Sequence, residues 1–476
     1  MNTARLAALC LPLWVIGCAP LQTPPKTIGA DLPTQWQAPL PQPLPHNGQL
    51  VDLNQWWLRL GDPLLVELIE AAQTASPSMA TATSRIAQAR ATQVASQAAL
   101  GPTLDASLSA SRGITQPGVP VATLAQGGLQ AAWEIDLLGG NRAASGAARA
   151  REDSAQAQWH DARVSVAAEV ANQYIGHRSC HVQLALSRQD ATSRAETARL
   201  SGLTTRAGFT APAQDALARA SAAEAANRVI QQAAQCDVTV KGLVALTALP
   251  ESELRQKLAP ALYKPVQDTE FSVATIPAQA LAQRPDVYSA ERNLAAASLD
   301  VASNEAQRYP RLALNGSIGA MSYNAGGVSS DFTTWSIGPL ALSLPLFDGG
   351  RRAANVQAAK ARYEEAAALY RARVRLAVRE VEEALVNLQS TAARSADTQT
   401  AADGYRDAFK AAQARYSSGL ASLPDLEDAR RTALNADIAV LSLLRERQLA
   451  WVALYRAVGG GWQAPSAAKP TSTAAD

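Results

Sequence analysis

The sequence predicts a mainly helical chain that also supplies β-strands to a membrane, and three observations support this fold class. Alanine, the best helix former, occupies 101 of the 476 positions. Four short segments alternate apolar and polar residues with a period of two, which is typical of strands. The same succession of helical and alternating segments occurs twice along the chain. These observations predict an internally duplicated chain of long helices and four strands.

Composition excludes several classes of protein. The 43 Lys and Arg residues nearly balance the 41 Asp and Glu residues, so a net charge of +2 gives no reason to expect a nucleic-acid partner. An apolar content of 47% is too high for a mainly disordered chain. After residue 17 no run of 18 apolar residues occurs, which argues against a polytopic helical membrane protein.

The first residues are typical of an export signal. One positive charge precedes the apolar run Leu6–Ile16, which is too short to span a bilayer. Cys18 follows Val-Ile-Gly, and this stretch resembles a bacterial lipoprotein signal whose cysteine becomes the lipidated first residue of the mature chain. An ordinary signal peptide with an incidental cysteine is the alternative. The resemblance implies a lipid anchor in the outer membrane, with Ala19 favouring that destination over the inner membrane.

The two halves of the chain repeat each other. Pro77 and Pro285 open equivalent helical stretches at an offset of 208 residues, and Gly208 and Gly419 follow equivalent long helices at an offset of 211. Each repeat is predicted to contain a helix, two strands and a long helical hairpin. The predicted segments are a signal over 1–17, a Pro-rich tether over 18–60, a first repeat over 61–250, a linker over 251–276, a second repeat over 277–462 and a disordered tail over 463–476.

The strand pattern is clear in Leu129–Leu137, where odd positions are apolar. In the last strand the apolar residues change parity at Gly338-Pro339, so we expect a bulge there. Loops rich in Gly, Pro, Ser and Thr are expected near 113–127 and 322–334. A half-buried sheet of a soluble domain would alternate in the same way. If the strands instead cross a membrane, several chains must pool them, because four strands cannot close a barrel.

The long helices also require partners. From Arg351 to Tyr416 the only glycine is Gly404 and no proline occurs, so a continuous helix of roughly 100 Å is expected. A helix of that length must pack along its side, and we predict that it pairs with 423–458. The equivalent pair in the first half is 141–205 with 212–248.

Several short motifs follow one another in a fixed order along this duplicated chain. They are Trp56-Trp57 with Asp62-Pro63 and Leu65, then Arg284-Pro285-Asp286-Val287, Pro345 to Gly350, Arg415-Tyr416 to Gly419, and Leu454-Tyr455 to Gly459-Gly460-Gly461-Trp462. In this order they resemble the TolC family of outer-membrane efflux channels, lipoprotein branch (OprM- and NodT-like). The resemblance implies a homotrimer with a twelve-stranded outer-membrane β-barrel and a long α-helical barrel in the periplasm. It also implies two partners, a periplasmic membrane-fusion adaptor and an inner-membrane RND-type transporter.

No motif indicates an enzyme or a cofactor. Nucleophile elbows, phosphate-binding loops and paired-cysteine zinc motifs do not occur in the sequence. His177 and His181 lie four residues apart with Cys180 between them, which is a metal-ligand spacing. We favour a structural or solvated role for them, because no carboxylate joins them locally.

The candidate entrance gate comprises Tyr416, Asp425 and Asp428. Helix capping by Ser422 explains Asp425, but it does not explain Asp428, which shares a helix face with Asp425. The resemblance implies that both aspartates and Tyr416 belong to the entrance constriction of the tunnel. Ala421 departs from the pattern, since some family members carry an arginine there that helps to lock the entrance.

The candidate disulfide joins Cys180 and Cys236, which lie 28 residues on either side of Gly208. Equal distances from the turn bring two residues of an antiparallel helix pair to the same level, and the periplasm is oxidising. Two buried free thiols in an alanine-rich seam are the alternative.

The sequence therefore predicts a passive outer-membrane exit duct of a tripartite efflux pump that conducts small molecules. The alternatives are the outer-membrane channel of a type I protein-secretion system and a lipid-anchored periplasmic coiled-coil scaffold. The transported substrates are not encoded in any motif.

Overall fold

The computed structural model describes residues 23–30, 32–38, 56–59, 61–114, 120–259 and 281–464. The predicted signal, Cys18 and the tail beyond residue 464 lie outside the described residues. The elements are α1 (Trp56–Arg59), α2 (Pro63–Ala75), α3 (Pro77–Ala98), β1 (Thr103–Gly113), β2 (Ala122–Ile135), α4 (Gly140–Arg206), α5 (Pro212–Thr247), α6 (Glu251–Leu258), α7 (Pro285–Ala306), β3 (Arg311–Ala325), β4 (Val328–Ser343), α8 (Arg351–Ser417) and α9 (Leu423–Ala457).

The duplication predicted from the sequence is confirmed by the lengths of equivalent helices. Helices α3 and α7 have 22 residues each, and α4 and α8 have 67 residues each. Helices α5 and α9 have 36 and 35 residues. A helix of 67 residues is about 100 Å long at 1.5 Å per residue. Within the described part of the chain, none of the helices is both long and apolar enough to cross a membrane.

The chain divides into two compact units. The strand unit comprises Met1–Ala30, Ser84–Gln156 and Ser289–Ala372, and the hairpin unit comprises Asp31–Thr83, Ala157–Tyr288 and Arg373–Asp476. In the strand unit, β1 to β4 form one antiparallel sheet in sequence order. Strands β1 and β4 are therefore the two edges of this sheet.

The register places most of the large apolar side chains of the four strands on one face, although Leu124, Met321 and Phe332 lie on the other. Leu104 lies opposite Ala131, and the same row continues through Gly316 to Ile337. Other members of this face are Leu108, Leu129, Trp133, Ile318, Trp335, Leu340 and Leu342. The opposite face carries polar residues such as Ser317 and Ser336, whose hydroxyls lie 2.9 Å apart.

The bulge expected at Gly338-Pro339 is confirmed. Leu314 lies opposite Leu340, but Gly316 lies opposite Ile337, so two residues of β4 oppose one residue of β3. The extra residue reverses the parity of β4, and the apolar residues before and after the bulge consequently share one face.

The prediction of a loop over 322–334 is wrong. Strands β3 and β4 run through most of that range and are joined only by Gly326 and Gly327. Both glycines have positive φ, 59° and 86°. Two successive residues in this conformation make the tight hairpin turn whose twist matches that of the flanking strands. The polar composition of the range belongs to the strands themselves.

Small side chains bring the helices of the strand unit close together. Ala147 and Ala150 of α4 pack against Ala295 and Ala296 of α7. On the other side of α7, Leu294 and Val301 contact α8 in a second apolar cluster. Alanine contributes little side-chain volume, so helices that meet through these residues can approach closely.

The core of the hairpin unit is built around aromatic residues of the first and last helices. The Trp56 ring stacks on Tyr455 at a centroid distance of 5.0 Å, and Trp57 meets the same tyrosine edge-on at 4.7 Å. Both tryptophans are buried. Asp62 caps α2 and also accepts a hydrogen bond of 2.8 Å from the Tyr174 hydroxyl.

The structure describes residues 23–30, 32–38 and 56–59 of the segment predicted as a tether, and some of these residues make contacts within the two units. In the strand unit, the Ser298 hydroxyl donates to the carbonyl of Pro24. In the hairpin unit, the backbone amides of Gln37 and Ala38 both donate to the Glu382 carboxylate at 2.7 Å. Helix α6 lies within the segment predicted as a linker.

Candidate functional site

The two helical hairpins end in the same turn. The amide of Phe209 donates to the Thr204 carbonyl, and the amide of Leu420 donates to the Arg415 carbonyl, at 2.9 and 2.8 Å. Together with positive φ at Gly208 and Gly419, these bonds define a Schellman motif at the end of α4 and of α8. Phe209 and Leu420 are the exposed apolar residues of the two turns, at 86% and 72%.

Asp425 forms a capping box with Ser422 at the start of α9. The Asp425 amide donates to the Ser422 hydroxyl at 3.3 Å, and the Ser422 amide donates to the Asp425 carboxylate at 3.0 Å. The hydroxyl also donates to this carboxylate at 2.6 Å. The Ser422 side-chain and backbone hydrogen bonds hold the pKa of Asp425 below its ordinary value. The carboxylate is exposed and charged at neutral pH.

Asp428 lies one turn further along α9 and forms an exposed ion pair with Arg431. Both side chains of this pair are about two-thirds exposed. Tyr416 is half-buried at the end of α8, where it packs on Ala218, Leu423 and Leu426. The structure therefore brings Tyr416, Asp425 and Asp428 to the same end of the second hairpin. Ala421 offers no side chain that could bond to them.

A buried charge cluster, which sequence reasoning missed, lies beside the start of α9. The Arg194 guanidinium of α4 donates to both Asp190 oxygens at 3.0 and 2.9 Å. It also donates to the Ser221 hydroxyl of α5 at 2.6 Å and to the Glu427 carboxylate of α9 at 2.5 Å. On the other side of Glu427, Arg430 donates to its second oxygen at 2.6 Å.

The cluster is closed by two neutral hydroxyls. Ser221 donates to the Glu427 carboxylate at 2.6 Å, and Arg430 donates to the Thr197 hydroxyl at 3.1 Å. The side chains of Arg194, Asp190 and Arg430 are 7%, 5% and 5% exposed. The pair Asp190 and Arg194 is visible in the sequence as an i, i+4 spacing on one helix. Nothing in the sequence indicates the hydrogen bond between Arg194 and Glu427, because the two residues lie 233 positions apart.

Cys180 and Cys236 form a disulfide in the structure, with a Cα separation of 5.6 Å. The bond joins α4 to α5 within an apolar cluster that includes Leu184. Beside it, the His177 ring lies 4.5 Å from His181, and its Nδ1 lies 2.8 Å from the Thr239 hydroxyl. Burial lowers the pKa of His177 to about 4, with a further contribution from His181. Among the residues that the structure describes, no three His, Cys, Asp or Glu side chains are arranged to hold a metal ion.

Known proteins resemble the whole chain. Nodulation protein T of Rhizobium leguminosarum bv. viciae is 28% identical over 481 residues, which cover 99% of this chain and 96% of that protein. The pyoverdine export outer membrane protein OpmQ of Pseudomonas putida is 28% identical over 97% of this chain and 98% of its own length. The solved structure of the Campylobacter jejuni CmeC outer membrane channel is 25% identical, with a TM-score of 0.81 over 94% of this chain and 95% of that chain.

The family model described as Outer membrane efflux protein matches residues 68–249 and 276–460. The two matched ranges correspond to the two repeats, so the match accounts for the duplication as well as the fold. The resemblance to the TolC family is confirmed, and the chain belongs to the outer membrane efflux protein family, whose members are channels and not enzymes.

Proposed function

We propose that three copies of this chain form the exit duct of a tripartite efflux pump, which conducts small molecules passively across the outer membrane. The observation that carries the proposal is the four-stranded sheet with one continuous apolar face and two unpaired edges. In the single chain β1 is exposed along its entire length, and Ile337 and Trp335 are 83% and 75% exposed. Such a face is stable against lipid.

Open sheet edges are not tolerated in a bilayer, because no water satisfies their backbone groups. Pairing β1 of one copy with β4 of the next removes both edges. Three copies give twelve strands, enough for a water-filled lumen, whereas eight strands fill with side chains. The proposed assembly is anchored by lipid on Cys18 and works with a periplasmic membrane-fusion adaptor and an RND-type transporter, which supplies the energy.

Small molecules are favoured over secreted proteins as cargo. One relative is named for the export of pyoverdine, which is a small molecule. The alternative, a channel of a type I protein-secretion system, requires the same fold with an ATP-driven exporter. The genes beside this one distinguish the two, since the proposal requires a proton-driven transporter and its adaptor.

The gate proposal places Asp425 and Asp428 of each copy in one ring of carboxylates at the periplasmic entrance, with Tyr416 beside them. A narrow ring of carboxylates attracts cations. The carboxylates also repel one another, so bringing them closer together costs free energy. The entrance therefore restricts flow and favours cations.

The test is single-channel recording of purified trimers in planar bilayers. The variant Asp425→Asn/Asp428→Asn removes both charges but keeps an oxygen that can accept the capping hydrogen bond. It should raise conductance and lower cation selectivity. The matched control is Asp403→Asn/Asp407→Asn, since both residues are exposed on α8 and each pairs with a cation three residues later.

The gate proposal fails if the Asp425 and Asp428 variant conducts and selects ions as the wild type does. The duct proposal fails if the protein in detergent is a monomer with its full β-content, or if it gives no conductance. The lipid anchor is tested separately by mass spectrometry of the mature N-terminus.

A further inference from the structure

We propose that Glu427 is the positioning residue of the entrance, and that the buried cluster of Asp190, Arg194, Ser221 and Arg430 is the socket that holds it. This inference rests on the proposed gate and identifies what keeps the gate closed in a chain that has Ala421. The socket is built by the first hairpin, through α4 and α5, together with Arg430 of α9 itself.

The directions of the side chains support separate roles for the two aspartates, which form the gate, and for Glu427, which positions the helix. Asp425, Glu427 and Asp428 are the third, fifth and sixth residues of α9. At 3.6 residues per turn, Glu427 points about 160° away from Asp425 and about 100° away from Asp428. The two aspartates therefore share one side of the helix, and Glu427 faces the first hairpin from another side. Because these residues lie within two turns of a rigid helix, fixing Glu427 fixes both aspartates.

The charge balance explains why the socket holds. Two buried cations, Arg194 and Arg430, face the buried carboxylate of Asp190 and the largely buried carboxylate of Glu427. The partly exposed Arg228 also pairs with Asp190, at 3.4 Å. Each Glu427 oxygen accepts from one arginine, and Ser221 supplies a further donor. Removing Glu427 leaves the buried arginines without half of their neutralising charge, and such unpaired charges are strongly unfavourable in a protein interior. Loss of this contact is therefore costly, which favours the position that α9 has in the structure.

The socket can also be released. Among the residues that the structure describes, no disulfide joins α9 to the first hairpin. The cluster forms one wall of an open groove of about 820 Å³, which Arg194, Ser221, Glu427 and Asp428 all line. Water can enter the groove and hydrate the charges when α9 moves away. The Arg430 guanidinium also lies 5.6 Å from the Phe409 ring of α8, so a shift of α9 is transmitted to the residues beside Tyr416.

The test is Glu427→Gln, which keeps the shape of the side chain and removes its charge. In planar bilayers the trimer should show a severalfold higher mean conductance, whereas its cation selectivity should persist because Asp425 and Asp428 are unchanged. The matched control is Glu224→Gln, which removes a carboxylate on α5 that lines the same groove and is 73% exposed. The control should conduct as the wild type does.

Two further results decide the proposal. Unchanged conductance of a properly assembled Glu427→Gln trimer overturns it. If that variant does not assemble, Ser221→Ala removes one donor without leaving a charge unpaired; higher conductance supports the socket, and wild-type conductance overturns it. The proposed gate is judged separately: when the Asp425 and Asp428 variant changes conductance and the Glu427 variant does not, only the socket is wrong.

Discussion

The two helical hairpins have nearly the same length and the same Schellman turn, yet they are held by different kinds of bond. In the first hairpin a disulfide between Cys180 and Cys236 joins α4 to α5. Among the described residues, the second hairpin has no disulfide; ion pairs of Arg406 with Asp437 and of Arg394 with Glu446 join α8 to α9. Glu427 of α9 is in turn held to the first hairpin by hydrogen bonds and charge. A covalent bond does not open on the time scale of transport, whereas ion pairs do. Under the proposed gate, the duplicated unit has thus diverged into a covalently bonded hairpin and a releasable one.

The largest effect is expected from removing the disulfide. Cysteines 56 residues apart confine the unfolded chain, and the chain-entropy model assigns about 4 kcal/mol to a loop of this size. The variant Cys180→Ala/Cys236→Ala should therefore lower the thermal unfolding midpoint of the purified trimer. Dithiothreitol should lower the midpoint of the wild type and leave that of the variant unchanged.

Peptide mapping without reductant checks the premise of that prediction. Protein from the cell envelope should yield one linked peptide pair. Alkylatable thiols at both positions would instead show that the first hairpin has no covalent bond, and the contrast between the hairpins would disappear.

A smaller effect is expected from the titration of His177. Its pKa in the folded protein is about 4, below the ordinary value of 6.5. Below pH 6.5 the unfolded chain binds the proton more readily, so the folded protein loses stability as the pH falls from about 6.5 towards 4. The thermal midpoint should fall in this window, and His177→Gln should flatten the fall. His181→Gln is the comparison, since His181 is less buried; an equal effect of both variants would contradict the assignment to His177.

The smallest effect is expected at the cap of α9. Ser422→Ala removes the hydroxyl that bonds Asp425 and should cost about 1 kcal/mol, measured as a lower thermal midpoint at neutral pH. Because the pKa of Asp425 is lowered in the folded state, the carboxylate stabilises the protein above its ordinary pKa near 3.8, and this contribution is lost as the pH falls further. Ser418→Ala, in the preceding turn, is the control. An acid-induced loss that is the same with and without Ser422 would rule out the capping role.

Features governed by local rules could be predicted from the sequence. Period-two alternation and its parity change located the bulge at Gly338-Pro339, and two cysteines equidistant from Gly208 identified the bonded pair. The Gly326-Gly327 turn was also readable, since two glycines between alternating segments are typical of a tight hairpin. The polar composition around them obscured it.

Features that depend on distant contacts could not be predicted. Asp190, Arg194 and Arg430 are ordinary charged residues of long helices until folding brings Glu427 to them. The burial of Trp56 and Trp57 against Tyr455 likewise joins opposite ends of the chain. A sequence pattern indicates which face of a helix is apolar, but it does not indicate which other helix supplies the partner of a buried charged residue.

The sheet with edges at β1 and β4 has a genetic consequence for the proposed trimer. In the proposed barrel every copy pairs with both of its neighbours, through β1 on one side and β4 on the other. A copy with a defective edge strand therefore disrupts the strand pairing of a normal neighbour. A cell that expresses both normal and edge-defective alleles should then lose more transport than the fraction of defective copies. Such alleles would behave as dominant, whereas alleles that prevent a copy from folding at all would remain recessive.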